Sequence, residues 1–118
     1  MELHEFCQLA DLSEKEFLIK EINGKSIGAI LVDGVVHTIL NYCPHEAAEV
    51  CKGKVTGTVL PSNVGEYLYD GNQKVISCPW HGWEFDIKSG KALFESEKSY
   101  RLKTIKNSIV NNKIYVGV

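Results

Sequence analysis

Turn-forming residues divide this sequence into short runs that favour extended structure, and this division constrains the fold more than any other feature. The runs are rich in Val, Ile, Tyr and Thr, which fit a pleated, half-buried surface. Turn signals fall at Asp33-Gly34, Ser89-Gly90 and Asn111-Asn112. An Asp-Gly pair between two β-rich runs is a strong hairpin signal. The pattern predicts a small all-β sandwich or barrel-like domain.

Two local predictions go further than the general strand pattern. The run EYLYDGNQKVIS reads as a hairpin that turns at Asp70-Gly71-Asn72. Helical signals are weak, and the only candidate is a single turn from Ser13 to Phe17, with Glu16 as the capping-box partner of Ser13.

Length and charge limit the classes of function. The chain has 118 residues, which predicts one domain spanning residues 1–118. Its formal net charge is −2 and it lacks a long basic run, so nucleic acid is not an expected partner. The N-terminal stretch lacks the pattern of a secretory signal, and no apolar run reaches the length of a membrane span. We therefore expect a cytoplasmic protein that does not bind a membrane.

Four cysteines remain to be explained, Cys7, Cys43, Cys51 and Cys78. In a reducing compartment an even count indicates metal ligands and thiols more often than disulfides. Cys7 and Cys51 could form a redox pair or a disulfide, but the simpler interpretation, two small thiols that are buried or half-exposed, is favoured.

Two short segments combine a soft thiolate with an imidazole. They are Cys43-Pro44-His45 and Cys78-Pro79-Trp80-His81-Gly82. Each proline restricts the backbone inside its loop, and the glycine lets the chain leave without a side-chain clash. Two cysteines and two histidines can hold a zinc ion, although this spacing is not usual for a zinc finger.

The same segments, and the run CPWHGWEFD above all, resemble the Rieske iron–sulfur family. The resemblance is sharp from about residue 41 to residue 90. It implies an antiparallel β-sandwich base with a smaller cluster-binding β lobe, roughly residues 41–90. It also implies one [2Fe–2S] cluster, with Cys43 and Cys78 on the buried iron and His45 and His81 on the iron nearer solvent.

The surroundings implied by the resemblance indicate the class of reduction potential. High-potential relatives have a disulfide between the ligand loops, where this chain has Ala48 and Trp80, and hydroxyl donors where it has Trp83 and Phe85. Fewer donors to sulfur stabilise the reduced cluster less, so we expect the low part of the roughly −150 to +300 mV Rieske range. The residues expected around the cluster are Pro79, Trp80, Gly82, Trp83 and Phe85.

Two stretches depart from the family pattern. The segment between the ligand pairs, from Glu46 to Ser77, is longer than the ordinary gap by about a hairpin. We expect a hairpin insertion near residues 56–74, because the entropy of loop closure grows slowly with length. The run FESEKSY, which follows Leu93, replaces a proline-containing loop that covers the cluster in many relatives.

Other conspicuous side chains have ordinary interpretations. His4 and His37 are expected to be surface or packing residues, and Tyr67 and Tyr69 are expected to pack. Trp80 and Trp83 are expected to shield the cluster from water, and they could also serve as an electron path or a docking patch.

The resemblance implies an electron-transfer protein that is not itself an enzyme. It would accept an electron from an NAD(P)H-linked flavoprotein reductase and pass it to a terminal oxygenase of the ring-hydroxylating type. The chain has no room for the further domain that a mononuclear iron site needs. Three alternatives remain: a small permanent subunit of an oxidoreductase such as a nitrite-reductase-like complex, a zinc-stabilised interaction module, and a cluster-based redox or oxygen sensor.

Overall fold

Nine β-strands and two single-turn 3-10 helices account for the regular structure of the residues described by this computed structural model, namely 3–44, 48–61, 67–79, 84–93 and 100–118. The strands form three antiparallel sheets of three strands each, so the predicted all-β class is confirmed. In chain order they are β1 (Leu3–Gln8), β2 (Leu18–Ile22), β3 (Lys25–Val32), β4 (Val35–Leu40), β5 (Lys54–Pro61), β6 (Tyr67–Ser77), β7 (Glu84–Asp86), β8 (Lys106–Val110) and β9 (Lys113–Gly117). Within these ranges no helix is long and apolar enough to cross a membrane.

Two-residue hairpins form where the turn signals predicted them. The pairs Asp33-Gly34 and Asn111-Asn112 have positive φ at both residues, which matches the twist of the strands that they join. The same geometry occurs at Asn23-Gly24, between β2 and β3, where the sequence analysis did not identify a turn.

The predicted turn at Ser89-Gly90 is also confirmed, and it follows β7. The amide of Gly90 donates to the carbonyl of Asp86 at 2.7 Å. The Asp86 carboxylate accepts from the amide and the hydroxyl of Ser89, at 3.2 and 2.6 Å. The chain then returns along β7, since the amide of Asp86 donates to the carbonyl of Lys91.

The hairpin predicted at Asp70-Gly71-Asn72 is wrong, because these residues lie inside β6. Strand β6 pairs with β5 on both sides of a register shift, which occurs where the partner of Gly57 is Lys74 and the partner of Thr58 is Asp70. The extra residues of β6 form a bulge. Pairing with β5 therefore overrides the local preference for a turn. The β5–β6 hairpin covers the region near residues 56–74; that it is an insertion relative to the family stays a prediction.

The helical turn predicted at Ser13–Phe17 is wrong as well. The Ser13 hydroxyl accepts from the amide of Lys15 at 3.0 Å, and the Ser13 carbonyl accepts from the amide of Leu31 on β3. These bonds hold the segment in a bend beside β3 instead of a helix. The first 3-10 turn forms earlier, over Leu9–Asp11, where the Asp11 carboxylate accepts from the amide of Gln8.

The larger region, here called the base, consists of β1–β4, β8 and β9. Its two sheets join where Leu40 and Ile105 donate backbone hydrogen bonds to Lys103 and Thr38. Thr38, only 2% exposed, donates its hydroxyl to the Ile105 carbonyl and accepts from the Asn107 amide at 3.0 Å. On the opposite side the Lys20 ammonium donates to the Phe6 carbonyl at 2.8 Å. The apolar core of the base lies between these two closures.

The smaller region, here called the lobe, consists of β5–β7 and the loops at their ends. A second apolar cluster fills the space between the lobe and the base. Residues 100–106, here called the strap, bond to both regions. Leu102 donates to the Gly90 carbonyl in the lobe, and the Lys103 carbonyl accepts from Leu40 in the base. A base with a smaller lobe is the predicted architecture.

Candidate metal centre

The first cysteine of the predicted centre lies in a closed loop just after β4. The amide of Tyr42 donates back to the Leu40 carbonyl at 2.8 Å, which ends the strand. The amide of Cys43 then donates to the Ala48 carbonyl, also at 2.8 Å, and this bond closes the loop. The Cys43 side chain is 0% exposed. The loop therefore directs its thiol into the protein interior.

The second cysteine directly follows β6, the central strand of the lobe sheet. Ser77, the last residue of β6, pairs with Lys54 on one side and with Glu84 on the other. Residues 78–83 thus form the loop of the β6–β7 hairpin. Cys78 is 2% exposed, whereas Pro79 is exposed. The chain turns outward immediately after this thiol.

Both thiols belong to one apolar cluster, together with Phe85. None of the four cysteines is in a disulfide. Phe85 is 0% exposed and has no hydroxyl that could donate to sulfur. The structure therefore places both cysteines predicted from the sequence in the same buried apolar cluster.

The other predicted site residues are outside the described part of the chain. They are His45, Trp80, His81, Gly82 and Trp83. Each follows a described cysteine closely in sequence. Ala48 is half-buried and packs against the same core; that it stands in the place of a loop cysteine of high-potential relatives stays a prediction.

The donor set at this position suits a [2Fe–2S] cluster. Two thiols in a dry, apolar setting match the buried iron of such a group, since thiolates are its usual ligands. In the sequence a histidine follows each cysteine, and its imidazole is the donor type that the second iron of such a cluster takes.

Two residues beside the cysteines were not identified from the sequence. Asn41, two residues before Cys43, is 6% exposed, and its side-chain oxygen accepts from the amide of Cys51 at 2.9 Å. Gly53 lies so close to Ser77 that a Cβ atom there would come within 1.7 Å of the Ser77 carbonyl oxygen. An asparagine and a glycine are common in β-proteins, so their types alone give no signal.

Cys7 and Cys51 are buried thiols in different apolar clusters, so the simpler interpretation is confirmed. Burial raises the pKa of the Cys51 thiol to about 12, and the nearby Glu49 carboxylate adds to this rise. Burial also raises the pKa of Cys7, against the opposing charge of Lys20. Both thiols therefore stay protonated at neutral pH and are poor nucleophiles.

His4 and His37 are half-buried strand residues, on β1 and β4. Burial lowers the pKa of His37, the Lys88 ammonium lowers it further, and the Asp86 carboxylate partly opposes both effects. A packing role fits this position. The side chains of Tyr67 and Tyr69 lie outside the described part, so their predicted packing stays a prediction.

Comparison with known proteins identifies relatives with iron–sulfur functions. One relative, the ferredoxin component of a naphthalene 1,2-dioxygenase/salicylate 5-hydroxylase system from Ralstonia sp., is 31% identical over 72% of this chain and 66% of its own length. Among solved structures, the ferredoxin of carbazole 1,9a-dioxygenase from Nocardioides aromaticivorans IC177 superposes with a TM-score of 0.74 at 16% identity, over 99% of this chain and 98% of that one.

A second solved structure has a different description. It is described as the small subunit of an NADPH nitrite reductase, and it superposes with a TM-score of 0.71 at 20% identity over the full length of both chains. Both structural likenesses establish the fold. The family model described as the Rieske [2Fe-2S] domain matches residues 2–106, nearly the whole chain. This protein is a member of the Rieske [2Fe-2S] domain family.

Proposed function

We propose that this protein carries single electrons through a [2Fe–2S] cluster held by Cys43, His45, Cys78 and His81, and that it catalyses no reaction on an organic substrate. One observation carries the proposal: both cysteines of the family motif lie in one buried apolar cluster, in the segments that follow β4 and β6. Two thiols held this way can bind one iron of a metal group without exposing it to water.

The protein's own residues have distinct roles in this proposal. When bound, the cluster supplies a site that accepts and releases one electron. Cys43 and Cys78 would hold its buried iron, and His45 and His81 would hold the iron nearer solvent. Phe85 excludes water and provides no hydroxyl donor to sulfur, which supports a potential in the low part of the Rieske range.

We assign an NAD(P)H-linked flavoprotein reductase as electron donor and a terminal ring-hydroxylating oxygenase as acceptor, in the cytoplasm. The Ralstonia relative is named as a component of such a dioxygenase system. Two exposed apolar side chains flank the cysteine loops and suit a brief docking contact. Tyr42, 50% exposed, precedes Cys43, and Leu93, 45% exposed, bonds to Glu84 at the end of the second loop.

The test is anaerobic purification, followed by iron and zinc analysis and by EPR spectra before and after dithionite. The expected result is a brown protein with the two irons of a [2Fe–2S] cluster per chain, and a reduced EPR signal of mixed His/Cys ligation. Catalytic amounts of a flavoprotein reductase with NAD(P)H should then bleach the oxidised spectrum. A colourless zinc protein that resists iron reconstitution would overturn the proposal and select the interaction module.

A second function, a permanent subunit of a nitrite-reductase-like complex, is favoured by the TM-score of 0.71 with the small subunit of such an enzyme. Exposed apolar residues at the far end of the base suit a lasting interface, and they are Val35, Ile109 and Val110. Mass measurement of the protein isolated from its native cell distinguishes the two functions. A monomer of 13.2 kDa supports the mobile carrier, and a stable complex with a large subunit supports the permanent one.

A further inference from the structure

We propose that Asn41 and the turn Glu49–Gly53 form a clamp that fixes the two cysteine-bearing loops relative to each other. The clamp makes Asn41 and Gly53 positioning residues, which act on the site through Cys43 and Cys78. The proposal rests on the proposed function, because the spacing of the two thiols matters only if one metal group binds between the loops.

Asn41 connects the first loop to the turn. Its side-chain oxygen accepts from the Cys51 amide at 2.9 Å. Its side-chain nitrogen donates to the Ser26 hydroxyl at 3.1 Å and to the Glu49 carboxylate at 3.3 Å. Its backbone amide donates to the Ser26 carbonyl at 2.9 Å. A residue only 6% exposed and bonded through both side-chain polar atoms has a single orientation, which fixes the chain two residues before Cys43.

Gly53 connects the same turn to the second loop. The Gly53 amide donates to the Val50 carbonyl at 3.0 Å and ends the turn. Its α-carbon faces the Ser77 carbonyl so closely that a Cβ would lie 1.7 Å from the oxygen and 2.8 Å from the carbonyl carbon. Both neighbouring atoms belong to the backbone, so they cannot move aside as a flexible side chain could. Any displacement of Gly53 therefore also moves Ser77 and, through the next peptide bond, Cys78.

The turn between these two contacts is itself anchored. Val50 is 0% exposed and Cys51 is 4% exposed, and both lie in the cluster that contains Cys43 and Cys78. The Cys51 thiol fits against Gly28, where a Cβ would come 2.3 Å from the sulfur. The anchored turn contacts one cysteine loop at each end. It therefore fixes the positions of the two thiols relative to each other before a metal group binds.

The test compares four variants of the iron-loaded protein with the wild type. Asn41→Ala removes the link to the first loop, and Gly53→Ala displaces the second. Asn41→Asp keeps the oxygen that accepts from Cys51 but loses both donors. Thr38→Val is the matched control, because Thr38 is a similarly buried polar residue on β4 whose side chain bonds to Ile105 and Asn107 and not to the turn Glu49–Gly53. Each variant is assayed for iron release to a chelator, reduced EPR line shape, midpoint potential and unfolding midpoint.

We expect Asn41→Ala and Gly53→Ala to release iron roughly 10- to 100-fold faster than the wild type, as for residues that orient metal ligands. Their EPR line shape and midpoint potential should shift, and Asn41→Asp should give an intermediate effect. Thr38→Val should lower the unfolding midpoint and leave the EPR line shape and the potential unchanged.

The outcomes separate this inference from the proposed function. An iron-free wild type contradicts both. An iron-loaded wild type whose Asn41 and Gly53 variants match Thr38→Val in release rate, line shape and potential contradicts the clamp alone. If Asn41→Ala does not fold, Asn41→Asp decides the matter, because it preserves the size of the side chain and its contact with Cys51.

Discussion

The base and the lobe are built from the same kind of strand, yet they are held together in different ways. The base is closed by direct contacts between its two sheets, such as the bond from the Asn107 side chain to Thr38 and the Lys20–Phe6 bond. The lobe has one three-stranded sheet, and the clamp and the strap attach it to the base. We therefore expect the base to keep its fold without the metal centre, and the lobe to respond more strongly when the cysteine loops are changed.

The largest expected effect comes from removing one lobe thiol. Cys43→Ser should lose essentially all iron, because a serine hydroxyl is a poor replacement for a thiolate ligand, while the β-sheet circular dichroism of the base persists. Cys7→Ser is the matched control, since Cys7 is also buried, at 5% exposure, but lies in the core of the base. It should keep the iron. Full iron content in Cys43→Ser would remove Cys43 from the ligand set.

Truncating one large buried apolar side chain in each region should distinguish an effect on stability from an effect on iron retention. Ile114 in the base and Phe85 in the lobe are both 0% exposed. Ile114→Ala should lower the free energy of unfolding by about 2–5 kcal/mol, and Phe85→Ala by about 3–5 kcal/mol. Only Phe85→Ala should also accelerate iron release to a chelator. Equal acceleration in both variants would show that the two regions unfold as one unit.

A smaller effect is expected at the polar closure of the base. Lys20→Met removes the donor to the Phe6 carbonyl, a bond of 2.8 Å, and should lower the free energy of unfolding in urea by about 1 kcal/mol. Lys25→Met, an exposed lysine on the neighbouring strand, controls for the loss of charge. If both variants are equally stable, the closure does not depend on this bond.

The smallest expected effect is a pH dependence of stability at His37 on β4, which interacts electrostatically with Lys88 and Asp86 of the lobe. Burial lowers the pKa of His37 below that of an unfolded chain, so the unfolded state binds the proton more tightly. The contribution of His37 to stability is complete above pH about 6.5 and decreases as the pH falls below that value. The difference in unfolding midpoint between pH 7.5 and pH 5.5 should therefore be smaller in His37→Gln than in the wild type. An unchanged difference would show that His37 has the same pKa in the folded and unfolded states.

Two of the hairpin turns of the base were predictable because adjacent residues encode them, although the similar turn at Asn23-Gly24 was missed. Asp33-Gly34 and Asn111-Asn112 favour positive φ without any tertiary contact, so a single sequence reveals them. The turn predicted in β6 failed for the opposite reason, because its outcome depends on the partner strand β5. A distant strand is invisible to a local pattern.

The residues of the candidate site divide in the same way, into those that a local sequence pattern reveals and those that depend on tertiary contacts. Cys43 and Cys78 were selected because their residue types have specific chemistry, and the structure buries them together. Asn41 and Gly53 were not selected, because their importance comes from which atoms they meet: the Cys51 amide and the Ser77 carbonyl. A spacing within the chain gives no information about such contacts.

The strap lies late in the chain, so it determines when the fold can close during synthesis. Its bond from Thr38 to Ile105 spans 67 residues, and β1 finds its partner only in β9, where Leu3 faces Gly117. Translation adds residues at roughly 5–20 per second, so the cysteine loops emerge seconds before the strands that close the base. Contacts this distant in sequence also slow folding. Cys43 and Cys78 are therefore synthesised before the residues that close the base around them.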